Sequence, residues 1–437
     1  MLKELDLRGK DEKETQLALP RPLLDSRVET ALTDVREIIR EVREGGDEAL
    51  HEITERFDGC RLESLSIGRN EMKKALEEIP SSLKSALEKS AENVQAYYSK
   101  QGHKDFEISQ DGMTIKSRTV PVARVGCYVP GGRAAYPSTV IMTAIPAKMA
   151  GVDQIVVAVP PDEKGEIPKS VLAAAAISDV DKIHPIGGAQ AIAALAYGTE
   201  EIDPVDVIVG PGNIYVSLAK QEVASKVRVP ASFAGPSEVV VVADETAEPD
   251  LVAMDLVVQA EHGPNGLSWL ITWEEELIVR VQSEIEKILA SSSRKKEIKS
   301  TLSTSGYCVL VEGPDQALVV AETVAPEHLQ LMTEESESMA DKIRNAGAVF
   351  CGQWSPATLG DYIAGPSHVL PTAGTARFAG ALGVTDFVKD VHVITASEET
   401  IEKVGEHVVV LSSTEGLEAH SESIRLRLEK IREKQSE

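Results

Sequence analysis

The stretch 122–159 reads VARVGCYVPGGRAAYPSTVIMTAIPAKMAGVDQIVVAV. Two short runs rich in β-branched residues, 122–129 and 154–159, lie on either side of a longer segment of helical character, 136–150. The same alternation of strand-like and helix-like segments continues to residue 226. Because strands that alternate with helices pair in parallel and are covered by helices on both faces, this region predicts an α/β module with a parallel sheet.

A second α/β module is predicted further along the chain. Strand-like runs recur at EVVVVAD (238–244), LSWLITW (267–273), GYCVLVEG (306–313) and AVFCG (348–352), with helical segments between them. We therefore expect an α/β protein with two incomplete Rossmann-like parallel-sheet modules in series.

The two ends of the chain differ in pattern from these modules. Residues 1–24 are polar and contain two prolines, so we expect an N-terminal helical arm rather than a domain. From Arg27 the apolar residues recur at helical spacing as far as Gly45 and Gly46, and a second helix follows. Residues 397–437 read as charged helix and are too few to hold a core alone, so we expect them to pack on another domain or subunit.

The composition limits the classes of protein that need to be considered. The chain has 437 residues, 42% hydrophobic and 26% charged, which is the balance of a globular protein. A formal net charge of −25 disfavours nucleic acid and anionic membranes as partners. The four cysteines are scattered, which excludes a CxxC zinc site. Since we find neither a signal peptide nor an apolar run of about 20 residues, we expect a cytoplasmic protein.

Three glycine-rich turns follow strand-like runs and precede helix-like ones. They read VPGGR (129–133), IGGAQ (186–190) and VGPGN (209–213). Glycine at such turns lets backbone N–H groups approach a phosphate at a helix N-terminus, and ligands collect at the carboxyl ends of parallel strands. None of the three is GxGxxG, so tight turns without any ligand remain the alternative.

Polar candidates for chemistry lie in four segments of the second half of the chain. In QAEHGP (259–264), Gln259 and His262 are three residues apart and share a helix face, although capping or surface roles are common there. In APEHL (325–329), Pro326 predicts a helix start, where Glu327 would gain from the helix dipole and His328 could move protons; simple capping is the alternative.

The other two segments are a long loop and a late helix. The loop GDYIAGPSHVLPT (360–372) holds Asp361 and His368. The helix 414–427 holds Glu415 and His420, for which a solvated helix face is the alternative. If Gln259, His262, Asp361 and His420 met in space, they would form an N/O ligand set without thiolate, which suits an open catalytic zinc better than a closed structural one.

Nine segments of the chain form an ordered set. They are VREGGDEALHEITERFDG, RVGCYVPGGRAAYPSTV, IGGAQAIAALAYGTE, VGPGNIYV, AGPSEVVVVADE, QAEHGP, APEHL, HVLPT and EGLEAH. In this order and at these separations they resemble the histidinol dehydrogenase family, from about residue 25 to 430. The single segments are common, whereas their ordered combination is specific.

The resemblance implies a role for each matching position. The implied zinc ligands, for one Zn²⁺ per subunit, are Gln259, His262, Asp361 and His420. The implied catalytic pair is Glu327 and His328. The implied NAD contacts are Tyr128, Gln190 and Asn213. The implied substrate contacts are Ser237, His368 and Glu415, together with His328 and the four zinc ligands.

The resemblance also implies an organisation and an activity. Residues 25–127 and 238–380 would form one discontinuous α/β domain with the catalytic pair and most zinc ligands, and 128–237 an NAD-binding domain. Residues 381–437 would form a helical segment that completes the site of the partner in a homodimer. The implied reaction is the oxidation of L-histidinol through L-histidinal to L-histidine, the last step of histidine biosynthesis, which consumes two NAD.

Two segments that flank the expected substrate pocket depart from the family pattern. RVPASF (228–233) precedes AGPSE where the family usually has an Asp–Met or similar pair, and Pro366–Ser367 precede His368 where Asn is frequent. One alternative is a related zinc and NAD dehydrogenase of another small diol, such as sulfopropanediol. The other is an inactive NAD-binding or assembly homologue.

Overall fold

The computed structural model describes residues 2–20, 28–102, 104–132, 134–230, 237–261 and 266–436. It forms two compact units. The first comprises residues 1–101 and 122–387, and the second comprises residues 102–121 and 388–437. Within the described ranges, no helix is both long and apolar enough to cross a membrane.

The described strands and helices are numbered here in chain order. The strands are β1 (Lys3–Asp6), β2 (Phe106–Gln110), β3 (Met113–Pro121), β4 (Arg124–Tyr128), β5 (Gln154–Ala158), β6 (Lys182–His184), β7 (Val207–Val209), β8 (Glu238–Ala243), β9 (Leu267–Thr272), β10 (Gly306–Leu310), β11 (His328–Met332), β12 (Ala348–Cys351) and β13 (Val388–Thr395). The helices are α1 (Glu12–Ala18), α2 (Val28–Asp58), α3 (Arg69–Glu78), α4 (Ser81–Tyr98), α5 (Pro137–Met149), α6 (Lys169–Ile177), α7 (Gly188–Tyr197), α8 (Ile214–Val223), α9 (Pro249–Ala260), α10 (Glu275–Ser291), α11 (Lys295–Ser305), α12 (Pro314–Val324), α13 (Ser336–Ala340), α14 (Ala357–Tyr362), α15 (Glu398–Thr414) and α16 (Glu418–Ser436).

A six-stranded parallel sheet in the first unit has the order β1-β10-β9-β8-β11-β12. Along β8, Val239 and Val241 pack with α9, α10 and α11, whereas Val240 and Val242 pack with α12 on the other face. Side chains alternate between the faces of a strand, so a continuous valine run needs helices on both sides. Each buried valine contributes up to about 3 kcal/mol by leaving water. The predicted second module is confirmed.

A four-stranded parallel sheet in the same unit has the order β6-β5-β4-β7. On β4, Val125 and Cys127 pack with α4, α5 and α6. On the other face Tyr128 and its neighbours pack with α2, α7 and α8. The sheet therefore has helices on both faces, as the alternation within 122–226 predicted.

The N-terminal stretch differs from the predicted arm. Residues Lys3–Asp6 form β1, an edge strand that pairs in parallel with β10, and α1 follows with Asp11 as its N-cap. Leu7 is fully buried in the six-stranded module. The predicted N-terminal helix is present as α1. The strand was not predicted, because β1 is short and its partner lies about 300 residues away in sequence.

The predicted break between two early helices is confirmed within α2. Gly46 has a non-helical backbone, and separate helical segments precede and follow it. Val35, Ile38 and Val42 of the first segment and Leu50 and Ile53 of the second are buried in one cluster with α7 and α8.

The second unit combines a three-stranded antiparallel sheet, ordered β13-β3-β2, with α15 and α16. The register runs from Val388 opposite Pro121 to Thr395 opposite Thr114. The two C-terminal helices confirm the helical prediction for 397–437, and the Ser412 hydroxyl lies 2.7 Å from that of Ser421 between them. The purely helical prediction for 381–437 is wrong at β13, whose partner strand is about 270 residues earlier.

Candidate active site

The predicted catalytic pair lies at the start of a strand rather than at the start of a helix. Helix α12 ends at Val324, Ala325 adopts a left-handed backbone with φ 49°, and His328 is the first residue of β11. The helix-start prediction for Pro326 is therefore wrong, and no helix dipole acts on Glu327 from this segment. Leu329 and Leu331 alternate with polar residues in the strand pattern and are fully buried.

His328 is held in one orientation by the strand beside it. Its Nδ1 lies 2.9 Å from the backbone carbonyl oxygen of Glu238 and 3.4 Å from Oε2 of Glu327. Because a carbonyl only accepts hydrogen bonds, Nδ1 carries the proton and Nε2 is the nitrogen left for proton exchange. Nε2 lies 3.5 Å from Oδ1 of Asp361. Burial opposes the charged form, but the carboxylates of Glu327 and Asp361 outweigh it and raise the pKa of His328 well above its ordinary value. A cation bound to Asp361 would offset the charge of that carboxylate and so favour the neutral ring, in which Nε2 can accept a proton.

Glu238, a residue that the motifs did not single out, connects β8 to the catalytic pair. Its backbone N–H donates to Oε2 of Glu327 at 2.9 Å, and its own Oε2 accepts from the Glu327 N–H at 3.2 Å. Its Oε1 accepts from the N–H of Ala373 at 3.1 Å. Burial and the neighbouring Glu327 carboxylate raise the pKa of Glu238 to about 7. The sequence signal that could have identified Glu238 is its position, because it is a charged residue that directly precedes four valines.

Glu238→Gln should lower the free energy of unfolding by about 1–3 kcal/mol and slow turnover. Both carboxyl oxygens of Glu238 accept backbone N–H groups, and an amide NH₂ would face one of these donors. Urea denaturation and steady-state rates measure the two effects. The deficit in stability should be larger at pH 5 than at pH 8. A carboxyl with a raised pKa stabilises the fold while neutral, and wild type loses that contribution as pH rises through about 7.

Glu245→Gln is the matched control, since it removes the same charge at an exposed position. If wild type and Glu238→Gln had the same free energy of unfolding at both pH values, the stabilising role assigned to the Glu238 carboxyl would be contradicted.

Asp361 and His368 are tied to each other and to α5. Nδ1 of His368 donates to the backbone carbonyl of Asp361 at 2.9 Å, and the Thr139 hydroxyl lies 3.1 Å from Nε2. Burial lowers the pKa of His368, so the ring is neutral and both of its nitrogens are engaged. His368 thus fixes the position of Asp361, at the end of α14, close to His328. Thr139 was not predicted, because the sequence does not show that α5 reaches this loop.

Ser237 and Gln259 are positioned by β8 and α9 of the six-stranded module. Ser237 directly precedes β8, and its backbone carbonyl accepts from Leu267 N–H at 3.1 Å. Gln259 is in the last turn of α9, as predicted, and its side chain is buried. His262 lies outside the described residues, so the predicted Gln259–His262 pairing stays a prediction.

Glu415 and His420 belong to the second unit and are exposed there. Glu415 caps the end of α15, Gly416 has φ 73°, and His420 is in the first turn of α16. The prediction of a single helix through both residues is wrong, because the positive φ at Gly416 ends the first helix. They belong to a different unit of the chain from the cluster around His328.

The three glycine-rich turns meet at a cavity of about 780 Å³ beside the four-stranded sheet. The predicted NAD contacts Tyr128, Gln190 and Asn213 all line this cavity. Oδ1 of Asn213 accepts two backbone N–H groups at the start of α8, so its amide nitrogen is the end available to a ligand. The Tyr128 hydroxyl accepts from Gly188 N–H at 3.1 Å, and burial raises its pKa to about 12.

Gly210 allows the turn after β7 to approach Tyr128. Its φ is 104°, and a Cβ atom added there would lie 2.0 Å from the backbone oxygen of Tyr128. The carbonyl of Gly210 accepts a hydrogen bond from Nζ of Lys220, a fully buried lysine of α8 whose pKa burial lowers to about 8. The glycine in VGPGN is therefore required by the close approach of two backbones.

Known proteins resemble this chain over nearly its whole length. A family model described as histidinol dehydrogenase matches residues 24–428. The histidinol dehydrogenase of Geobacillus kaustophilus is 45% identical over 411 residues, which cover 94% of this chain and 97% of that protein. That of Clostridium acetobutylicum is 46% identical over 394 residues, 90% of this chain and 91% of that protein. A crystal structure of histidinol dehydrogenase from Elizabethkingia anophelis is 31% identical and superposes with a TM-score of 0.89, covering 99% of each chain. This chain belongs to the histidinol dehydrogenase family.

Proposed function

We propose that this chain is an NAD-dependent oxidoreductase that converts L-histidinol through L-histidinal to L-histidine. The observation that carries the proposal is the contact between His328, Glu327 and Asp361, in which the His328 ring presents Nε2 for proton exchange. Each oxidation removes one hydride and one proton, and water adds to the aldehyde between the two. The whole conversion therefore consumes one water and two NAD.

Glu327 and His328 would carry out different proton transfers in the reaction. His328 Nε2 would accept the hydroxyl proton in each oxidation, because Nδ1 is already committed to the Glu238 carbonyl. The Oε2 atom of Glu327 is engaged by the Glu238 amide, so we assign Oε1 to the activation of water for attack on the aldehyde. Glu238 contacts both Glu327 and His328, and both side chains are buried. Each side chain would therefore stay in the orientation that its own role requires.

We assign the coenzyme to the cavity lined by Tyr128, Gln190 and Asn213, within the proposed NAD-binding domain 128–237. The backbone N–H groups of its glycine-rich turns suit a pyrophosphate. When bound there, NAD would supply the hydride acceptor. A cavity of about 780 Å³ has the size of sites for large cofactors, which supports the assignment.

We assign zinc to Gln259, His262, Asp361 and His420, an N/O donor set of the kind that open catalytic zinc sites use. Asp361 is held in place by His368. When bound, the metal would hold and polarise the substrate's nitrogen and oxygen atoms. Among the described residues of one chain, no group of three or more His, Cys, Asp or Glu side chains could hold a metal, so the set needs His262 and His420 to join Asp361.

The second unit is where we place the contact with a second copy of the chain. It exposes large apolar side chains on both its sheet and its helices, which are Phe106, Ile108, Val391, Val393, Ile394, Val408, Val410, Leu411, Leu417 and Leu426. Glu415 and His420 lie among the helical members of this set. An exposed apolar surface of this kind marks an interface, and a homodimer would bring Glu415 and His420 into the site of the partner.

The purified protein should form NADH with L-histidinol and not with sulfopropanediol. The anionic sulfonate would meet the carboxylates of Glu327, Asp361 and Glu415, whereas the amino group of histidinol is complementary to them. The measurement is NADH absorbance with each alcohol, and two NADH per histidinol should appear at completion.

Protein stripped of zinc with a chelator should lose the activity and recover it when zinc is returned.

Each alternative has its own outcome in this experiment. NADH from sulfopropanediol alone would establish the diol dehydrogenase instead. No NADH from either alcohol, from folded and zinc-loaded protein, would favour the inactive homologue. Full activity without metal would contradict the zinc assignment only.

A further inference from the structure

The cavity assigned to the coenzyme has a negatively charged wall that the proposed contacts do not use. Helix α2 contributes four carboxylates to the lining, those of Asp34, Glu37, Glu41 and Asp58. Its Arg56 also lines the cavity but is paired with Glu41 at 3.2 Å. The described lining on this side therefore repels anions.

Asp58, the last residue of α2, differs from the other three carboxylates. Its Oδ2 atom is buried and has no hydrogen-bond partner among the described residues. Burial raises the pKa of this carboxyl to about 6. A buried acceptor without a donor is costly, and the carboxyl of Asp58 belongs to the lining of the cavity, so a ligand hydroxyl that donates to this carboxyl would bind favourably. A phosphate group would bring further acceptors and negative charge to the same carboxyl.

The lining also indicates which end of the coenzyme lies here. It includes none of Glu327, His328, Asp361 and His368, the groups around which the substrate must react. The nicotinamide ring has to reach that cluster, so the cavity holds the opposite, adenosine end. Phe57 and prolines of the turns give this cavity apolar walls against which a purine can pack.

We propose that Asp58 accepts hydrogen bonds from the hydroxyls of the adenosine ribose and excludes a coenzyme that carries a 2′-phosphate. This inference rests on the proposed NAD site and adds a specificity-determining residue to it. NAD and NADP differ only at the 2′ position of this ribose. Asp58 is thus the residue of the cavity that selects between them.

Binding of coenzyme fragments tests the proposal without any turnover. Isothermal titration calorimetry on the full-length, zinc-loaded protein compares ADP-ribose with 2′-phospho-ADP-ribose. Wild type should bind ADP-ribose at least about tenfold more tightly. Asp58→Asn should weaken ADP-ribose by about tenfold and leave the phosphorylated fragment unchanged or tighter, so that the preference disappears. Asp58→Ser, which removes the same charge with a smaller side chain, should act in the same direction.

Asp34→Asn is the matched control, because Asp34 lines the same cavity on the same helix but is exposed. If it abolishes the preference as fully as Asp58→Asn, general charge and not Asp58 makes the selection. An unchanged preference in both Asp58 variants, or a wild type that binds the two fragments equally, would also overturn the proposal. The proposed function fails separately, when wild type forms no NADH from histidinol and binds no ADP-ribose.

Discussion

His328→Asn should slow the oxidation of both histidinol and histidinal by about 10²–10⁴-fold, whereas Glu327→Gln should slow mainly the oxidation of histidinal. The geometry gives the reason. His328 offers Nε2 in a fixed tautomer, and a proton leaves an oxygen in both oxidations. Asparagine cannot take up that proton. Glu327 is needed for the addition of water, a step that only the aldehyde undergoes.

The measurement is the rate of NADH formation with each substrate supplied separately, at saturating NAD. Glutamine at 327 keeps the length of the side chain and can still accept the hydrogen bond from the Glu238 amide, so the loop should stay in place. Zinc content and thermal unfolding verify that the site is intact. His392→Asn, an exposed histidine of β13, serves as the control and should leave both rates unchanged. If Glu327→Gln slowed the oxidation of histidinol and that of histidinal equally, the assignment of separate roles to Glu327 and His328 would be contradicted.

Mixing His262→Ala chains with His420→Ala chains should restore activity that neither variant has alone. If each site takes His262 from one subunit and His420 from the other, a mixed dimer contains one site with both lesions and one with neither. Random reassortment makes about half of the dimers mixed, which limits recovery to about a quarter of wild-type activity in the unfractionated mixture and to about half in the purified mixed dimer. The subunits are combined by co-expression, with differently tagged chains purified in sequence and the mixed dimer verified by mass spectrometry.

A second mixture gives the opposite result and acts as the control. A chain with both substitutions, paired with a wild-type chain, places one lesion in each shared site, so this mixed dimer should be inactive. If His420 served its own chain, the double variant would leave the wild-type site of the mixed dimer working, and the first mixture would be inactive. The two mixtures therefore give reversed patterns for the two arrangements. Activity in the second mixture and none in the first would refute the shared site.

Features that depend on near neighbours in sequence were predicted correctly. The parallel strands were visible because a buried strand needs a continuous apolar run, as in the valines of β8. The break at Gly46 and the turns before α7 and α8 were visible because glycine is needed where φ is positive or where backbones approach closely. The ordered motifs predicted the family, which the comparisons confirm.

The sequence pattern predicted the wrong secondary structure where a short segment is compatible with both a helix and a strand. APEHL has Pro–Glu as helix starts do, yet its last two residues begin β11, because β8 and β12 offer hydrogen-bond partners on both sides. Propensity over five residues is weaker than pairing within a sheet. The same holds for β1, whose four residues become a strand only beside β10.

What the sequence by itself determined is the fold class, the family and the residue types available for chemistry, since these follow from periodicity and from ordered motifs. Only the tertiary structure decided which atoms meet. It joined Glu238 to Glu327 across 89 residues, Thr139 to His368 across 229, and Asp58 to the same cavity as Asn213. The reason is physical: hydrogen bonds and burial act over a few ångströms in space, and the folding of the sheets sets which distant residues come within that range.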